Sequence, residues 1–162
     1  GIHRWSGRAY AASAIGASLS VLTITAYGQW GANQHVANTM LAVLWLTTTV
    51  AGLVAARRRR FAEHREWMVR SAALGFSIVA NRLWLVACVA LLAPDALAPD
   101  GGLVPTPELA QAVGVSTWLS WVVNLLVAEW WLHRTRHRTR HRTRSSDGPS
   151  PVRRPLAVPP RC

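Results

Sequence analysis

The chain contains no lysine, so its 18 basic residues are all arginine, and only 7 acidic residues oppose them. Cysteine is nearly as scarce. Cys88 stands inside an apolar run and Cys162 at the last position, settings too unlike for a disulfide, so cysteine says nothing about redox compartment. No Walker loop, G-x-S-x-G, H-E-x-x-H or C-x-x-C occurs, which leaves no signature of a phosphate-loop, serine-hydrolase, zincin or thiol-redox enzyme. The motif content leans away from an enzyme. Arginine and alanine in excess with no lysine point to a GC-rich bacterial gene. The chain opens on Gly1 rather than Met and shows no signal peptide, as expected of a sequence lacking its native N-terminus.

Charge is also missing from long stretches. Residues 9–27 and 36–56 hold no ionisable acid or base beyond tyrosine, only serine, threonine and Asn38 as polar residues among an apolar majority. Two further runs, 69–93 and 112–132, are mostly apolar. Each is long enough to cross ~30 Å of hydrocarbon at ~1.5 Å per residue. A soluble bundle would instead carry a polar stripe at a period of ~3.6 residues along every helix. A pI near 11.7 normally invites nucleic acid. Here the basic residues are gathered into blocks between apolar runs, the pattern of a membrane chain, and no nucleic acid is expected.

The blocks alternate in sign. Arg4 and Arg8 precede the first run, Arg57 to Arg60 and Arg65 follow the second, and H-R-T-R repeats follow the fourth. The connections after the first and third runs carry no arginine, and the latter has Asp95, Asp100 and Glu108. The positive-inside rule then puts both ends of this chain in the cytoplasm, in a multi-pass protein of a bacterial cytoplasmic membrane. The expected fold is all-α: a four-helix transmembrane domain over 1–132, with spans at about 9–27, 36–56, 69–93 and 112–132. A disordered tail, Arg/His-rich and then Pro-rich, is expected over 133–162. Its three histidines lie among arginines that oppose a metal cation, so anionic lipid headgroups are its expected neighbours.

Ionisable groups at membrane depth are candidates for function. Arg82 lies thirteen residues into the third run, beside Asn81. It reads as a tie to hydroxyls at its depth, such as Thr23, Thr25 and Ser120, or as the anion seat of a small transporter. Glu129 is too shallow to meet it but matches Arg70 in depth, so Arg70 and Glu129 are expected to pair. Arg59–Glu63 and Glu66–Arg70 are spaced i, i+4. In the first run, Ala12, Gly16 and Ser20 form a small-residue ridge suited to close helix packing.

Two segments echo each other. "HRWSGRAY" (His3 to Tyr10) and "HREWMVRS" (His64 to Ser71) each begin His-Arg, carry a Trp, and precede an apolar run on the inner side. His3 and His64 at matched depth would suit axial ligation of a b-type haem. The same residues also read as interfacial anchors, with Trp5, Trp67, Trp130 and Trp131 in the headgroup belt. Arg8, Arg70 and Arg82 are the candidate anion-binding side chains.

These two motifs, with an Arg in the middle of the following helix (Arg82), resemble a bacterial family of predicted membrane proteins, domain of unknown function 2306. The resemblance covers about residues 2–92. It implies a multispanning helical protein without an assigned activity, and a further helix ahead of the first motif that this chain lacks. The functional expectation is an accessory or binding protein whose inner His/Arg/Trp rim recognises an anionic group, lipid, membrane protein partner or second copy. Haem-mediated electron transfer and transport through Arg82 are the alternatives.

Overall fold

The structure, a computed structural model, describes residues 2–28, 31–97 and 106–146, with side chains described from Trp5 to Arg136 within them, apart from Leu97. Among the described residues there are four α-helices: α1 Ile2–Tyr27, α2 Ala32–Arg57, α3 Phe61–Leu92 and α4 Pro107–Ser146. One 3-10 turn, Pro94–Leu97, follows α3, and no strand occurs among the described residues. All four helices include a segment long and apolar enough to span a membrane: Trp5–Tyr27, Ala32–Arg57, Phe61–Leu92 and Pro107–Arg136. The fold is therefore an all-α transmembrane bundle.

The helices outrun the apolar stretches at several ends. α3 begins at Phe61 and α1 at Ile2, because the charged residues before each run are good helix formers that reach past the hydrocarbon. α4 starts at Pro107, where an extended acidic loop was expected up to Leu109. The signal is local: Thr106 caps the helix, its Oγ1 accepting from the Leu109 backbone N–H at 3.2 Å, and Pro107 and Glu108 fill the first turn. α3 ends as it meets Pro94, whose ring drives Ala93 out of helical geometry (φ −141°, ψ 58°). At its far end α4 continues through all three H-R-T-R repeats to Ser146, where an irregular tail was expected from residue 133. Arginine propagates a helix well once the preceding turns have nucleated it. Residues 147–162 lie outside the described residues.

The chain divides into two compact units, Gly1–Trp130 and Trp131–Cys162. In the first, the backbones approach most closely between α1 and α2 and between α2 and α3. Ala14, Leu41, Trp45, Leu74 and Trp121 form the central core, with at least one residue from each helix. A Cβ on Gly75 would lie 3.1 Å from the Trp45 ring, so the missing side chain is what lets that indole pack closely on α3. Large apolar side chains such as Leu83 (76% exposed) and Leu91 (81%) face outward. Lipid solvates them as well as a core would, so packing and hydrogen bonds, rather than water exclusion, hold the helices together.

The buried face of α1 is Ala11, Ala14, Ser18 and Thr25. The expected Ala12–Gly16–Ser20 ridge faces the other way and is exposed, with nothing within 4 Å of a Cβ placed on Gly16. Both ridges are made of small residues, and only the neighbours of α1 choose between them. Buried hydroxyls satisfy themselves mostly within their own helices, as Ser18 does on the Ala14 carbonyl at 2.7 Å.

Candidate functional site at the basic end of the bundle

α2 and α3 meet in a tight arginine turn. Arg58 caps α2, Arg59 adopts the left-handed conformation (φ 57°), and α3 begins two residues later. The Arg59 N–H donates to the Ala56 carbonyl at 3.1 Å and the Arg60 N–H to the Ala55 carbonyl at 2.9 Å. This is the Schellman closure, with arginine where glycine is usual. Arg59 thus stands outside α3, and the expected i, i+4 pair with Glu63 does not form. Arg60 takes that role, its Nη1 reaching Glu63 Oε1 at 3.4 Å.

Consecutive residues on α3 then tie it to every other helix. The Arg70 fork meets Glu129 on α4: Nε donates to Oε1, and Nη2 donates to Oε2 at 3.0 Å. Its guanidinium also lies 5.0 Å from the ring centroid of Trp67, a cation–π contact. Next to it, the fully buried Ser71 hydroxyl is 2.9 Å from Tyr10 Oη on α1 and 2.7 Å from Thr49 Oγ1 on α2. The second motif thus ends on two residues that gather all four helices at one level. The His-Arg starts of the motifs do not point to Tyr10, Thr49 or Ser71 and leave all three unmarked. The shared polar last position, Tyr in one motif and Ser in the other, was the available signal.

His64 is half-buried, its Nδ1 donating to the Gly52 carbonyl at 2.8 Å. Gly52 also lets α3 come close, since a Cβ there would lie 2.9 Å from Met68 Sδ. The backbone of His3 lies in the first turn of α1, and its side chain falls outside the described residues, as do those of the tail histidines His137 and His141. Among the described residues no group of three or more His, Cys, Asp or Glu could hold a metal. Arg8 is exposed near the start of α1.

Arg82 does not join these groups. Its side chain is exposed on the outer surface of α3. The hydroxyls expected to meet it are committed elsewhere or turned inward: Thr23 bonds the Ser20 carbonyl, Ser120 the Thr117 carbonyl, and Thr25 is buried. Rotation about the helix axis puts Arg82 on the face of α3 turned away from the bundle. At the far end, α2 and α4 are joined by Gln34, whose Nε2 donates to Thr117 Oγ1 at 2.9 Å, and by Trp118, whose Nε1 donates to Asn33 Oδ1 at 2.9 Å.

A family model described as predicted membrane protein (DUF2306) matches residues 1–132. The chain belongs to this family. The match runs through the apolar part of α4, beyond the 2–92 that the two motifs alone indicated, and so takes in Glu129 as well as Arg70. No curated protein and no solved structure matches the chain significantly. In this DUF2306 protein, then, the arginine turn, the His64 anchor and the Arg70–Ser71 junction form one continuous basic end of the bundle.

Proposed function

We propose that this DUF2306 protein is a non-catalytic, membrane-embedded binding protein whose basic end recognises an anionic group, on a lipid or on a protein partner. Uncompensated charge is the observation that carries this reading. Arg57, Arg58 and Arg59 are exposed and have no ion-pair partner among the described residues, whereas Arg60 and Arg70 are each engaged by a carboxylate. Exposed guanidinium forks suit planar, bidentate recognition of phosphate or carboxylate. The alternation of basic and arginine-free connections supports placing this end on the cytoplasmic side of a bacterial cell membrane, with both ends of the chain there.

The test is the unfolding temperature of the full chain in neutral detergent, titrated with inorganic phosphate and with short-chain phosphatidylglycerol. At least one anion should stabilise the chain, and replacing Arg57, Arg58 and Arg59 with Gln should abolish the effect. No shift with either probe overturns the reading. Reporters fused to the C-terminus test the orientation, and an extracytoplasmic signal would reverse it.

A second reading has one observation in its favour. With Nδ1 donating to the Gly52 carbonyl, neutral His64 keeps its lone pair on Nε2, the arrangement in which an imidazole can serve as an axial ligand of a b-type haem. A dithionite-reduced Soret shift that disappears in His64→Ala would establish it, and a colourless preparation from haem-replete cells would sink it. Transport through Arg82 has no such support, because a substrate seat between helices needs an inward-facing side chain and Arg82 faces out.

A further inference from the structure

A groove of about 540 Å³ runs along the α2–α3 boundary, floored by Leu46, Val50 and Val54 of α2 and walled by Trp67 of α3. Its lining is apolar along most of its length and ends at Arg58 and Arg60. We infer that this groove is a specific seat for one anionic phospholipid, its acyl chain lying along α2 and its phosphate held by Arg58. Such a site presupposes the anion-binding end proposed above and adds a chain-shaped seat to it.

Length supports this occupant. Leu46 lies on α2 twelve residues before its C-cap Arg58, about 18 Å along the axis. A single leaflet of hydrocarbon is about 15 Å deep, half of the ~30 Å bilayer core. An acyl chain starting at the arginine turn therefore ends near Leu46. The floor recurs every fourth residue, so it forms a continuous row that runs obliquely along α2. Val50 (42% exposed) and Val54 (39%) are open to the bilayer, so a lipid can enter sideways.

Charge selects the headgroup. Glu63 also lines the groove and sits against Arg60, which leaves Arg58 as the cation with no carboxylate partner among the described residues. A zwitterionic headgroup would bring its own cation to a site whose uncompensated charge, on Arg58, is already positive. An anionic one brings only negative charge for Arg58 to hold.

Native mass spectrometry of the full chain, released from micelles holding equal phosphatidylglycerol and phosphatidylcholine, tests the site. The expected result is one retained phosphatidylglycerol in preference to phosphatidylcholine. Arg58→Gln should cut that preference about fivefold, the effect of one Arg at an anionic surface. Val50→Trp should fill the groove and lower retention of the bound lipid without touching any charge. Both side chains are exposed, so neither variant threatens the fold. Equal retention of the two lipids, or no response to Arg58→Gln, overturns the assignment. A response to Arg58→Gln with none to Val50→Trp also overturns the groove, while leaving the anion-binding end intact. The same split follows if inorganic phosphate displaces the lipid.

Discussion

The hydroxyl oxygens of Tyr10 and Ser71 stand 2.9 Å apart, so the last residues of the two His-Arg motifs touch between α1 and α3. Both motifs end at the level where the bundle is tied together. The same serine reaches Thr49 on α2, and its neighbour Arg70 reaches Glu129 on α4.

Tyr10→Phe removes one interhelical hydrogen bond and should lower stability by about 0.6–1.5 kcal/mol. Ser71→Ala removes two and should cost more, about 1–2 kcal/mol. Thr49 retains its bond to the Trp45 carbonyl, which limits the loss. Thermal unfolding in detergent, with the Tyr10→Phe/Ser71→Ala double variant closing the cycle, measures the coupling. Strictly additive losses would mean that the two hydroxyls do not interact.

Glu129→Gln should destabilise the bundle by about 1–3 kcal/mol, because it strips a half-buried guanidinium of its counter-charge. Arg70 is 18% exposed and Glu129 35%, so water screens the loss only in part. Arg70→Lys should recover little, since an ammonium cannot reproduce the two-point fork. Full stability in Arg70→Lys would show that the pair acts as point charges alone.

Arg59→Gly should raise stability by about 1 kcal/mol, relieving the left-handed backbone that arginine adopts at φ 57°. Arg59→Val, β-branched at the same position, should lower it. A fall in the unfolding temperature of the glycine variant would mean that the Arg59 side chain contributes more to the turn than its backbone costs.

Arg82→Leu should leave the stability of the detergent-solubilised chain within about 0.5 kcal/mol of the parent, as for other exposed sites. Insertion of the third span into membranes should improve, because a central arginine costs ~2.5–3.5 kcal/mol on insertion scales. A loss above ~1 kcal/mol in detergent would place Arg82 in an internal tie after all.

Depth was legible in the sequence. Residues rise ~1.5 Å each along a helix, so run lengths gave four spans, and matched positions brought Arg70 opposite Glu129. Rotation was not legible. Lipid is as apolar as the interior, so these helices carry no polar stripe to show which side is buried. The Ala12–Gly16–Ser20 ridge and the Ala11–Ala14–Ser18 face look equally suited to packing, and Arg82 could have faced either way. Tertiary contacts made those choices: Trp45 against Gly75, and Ser71 between Tyr10 and Thr49. The local Schellman closure sets Arg59 in its left-handed turn, handing Glu63 to Arg60. Spans follow from one-dimensional hydropathy, whereas the partners of each side chain depend on azimuth, which only close packing of all four helices decides.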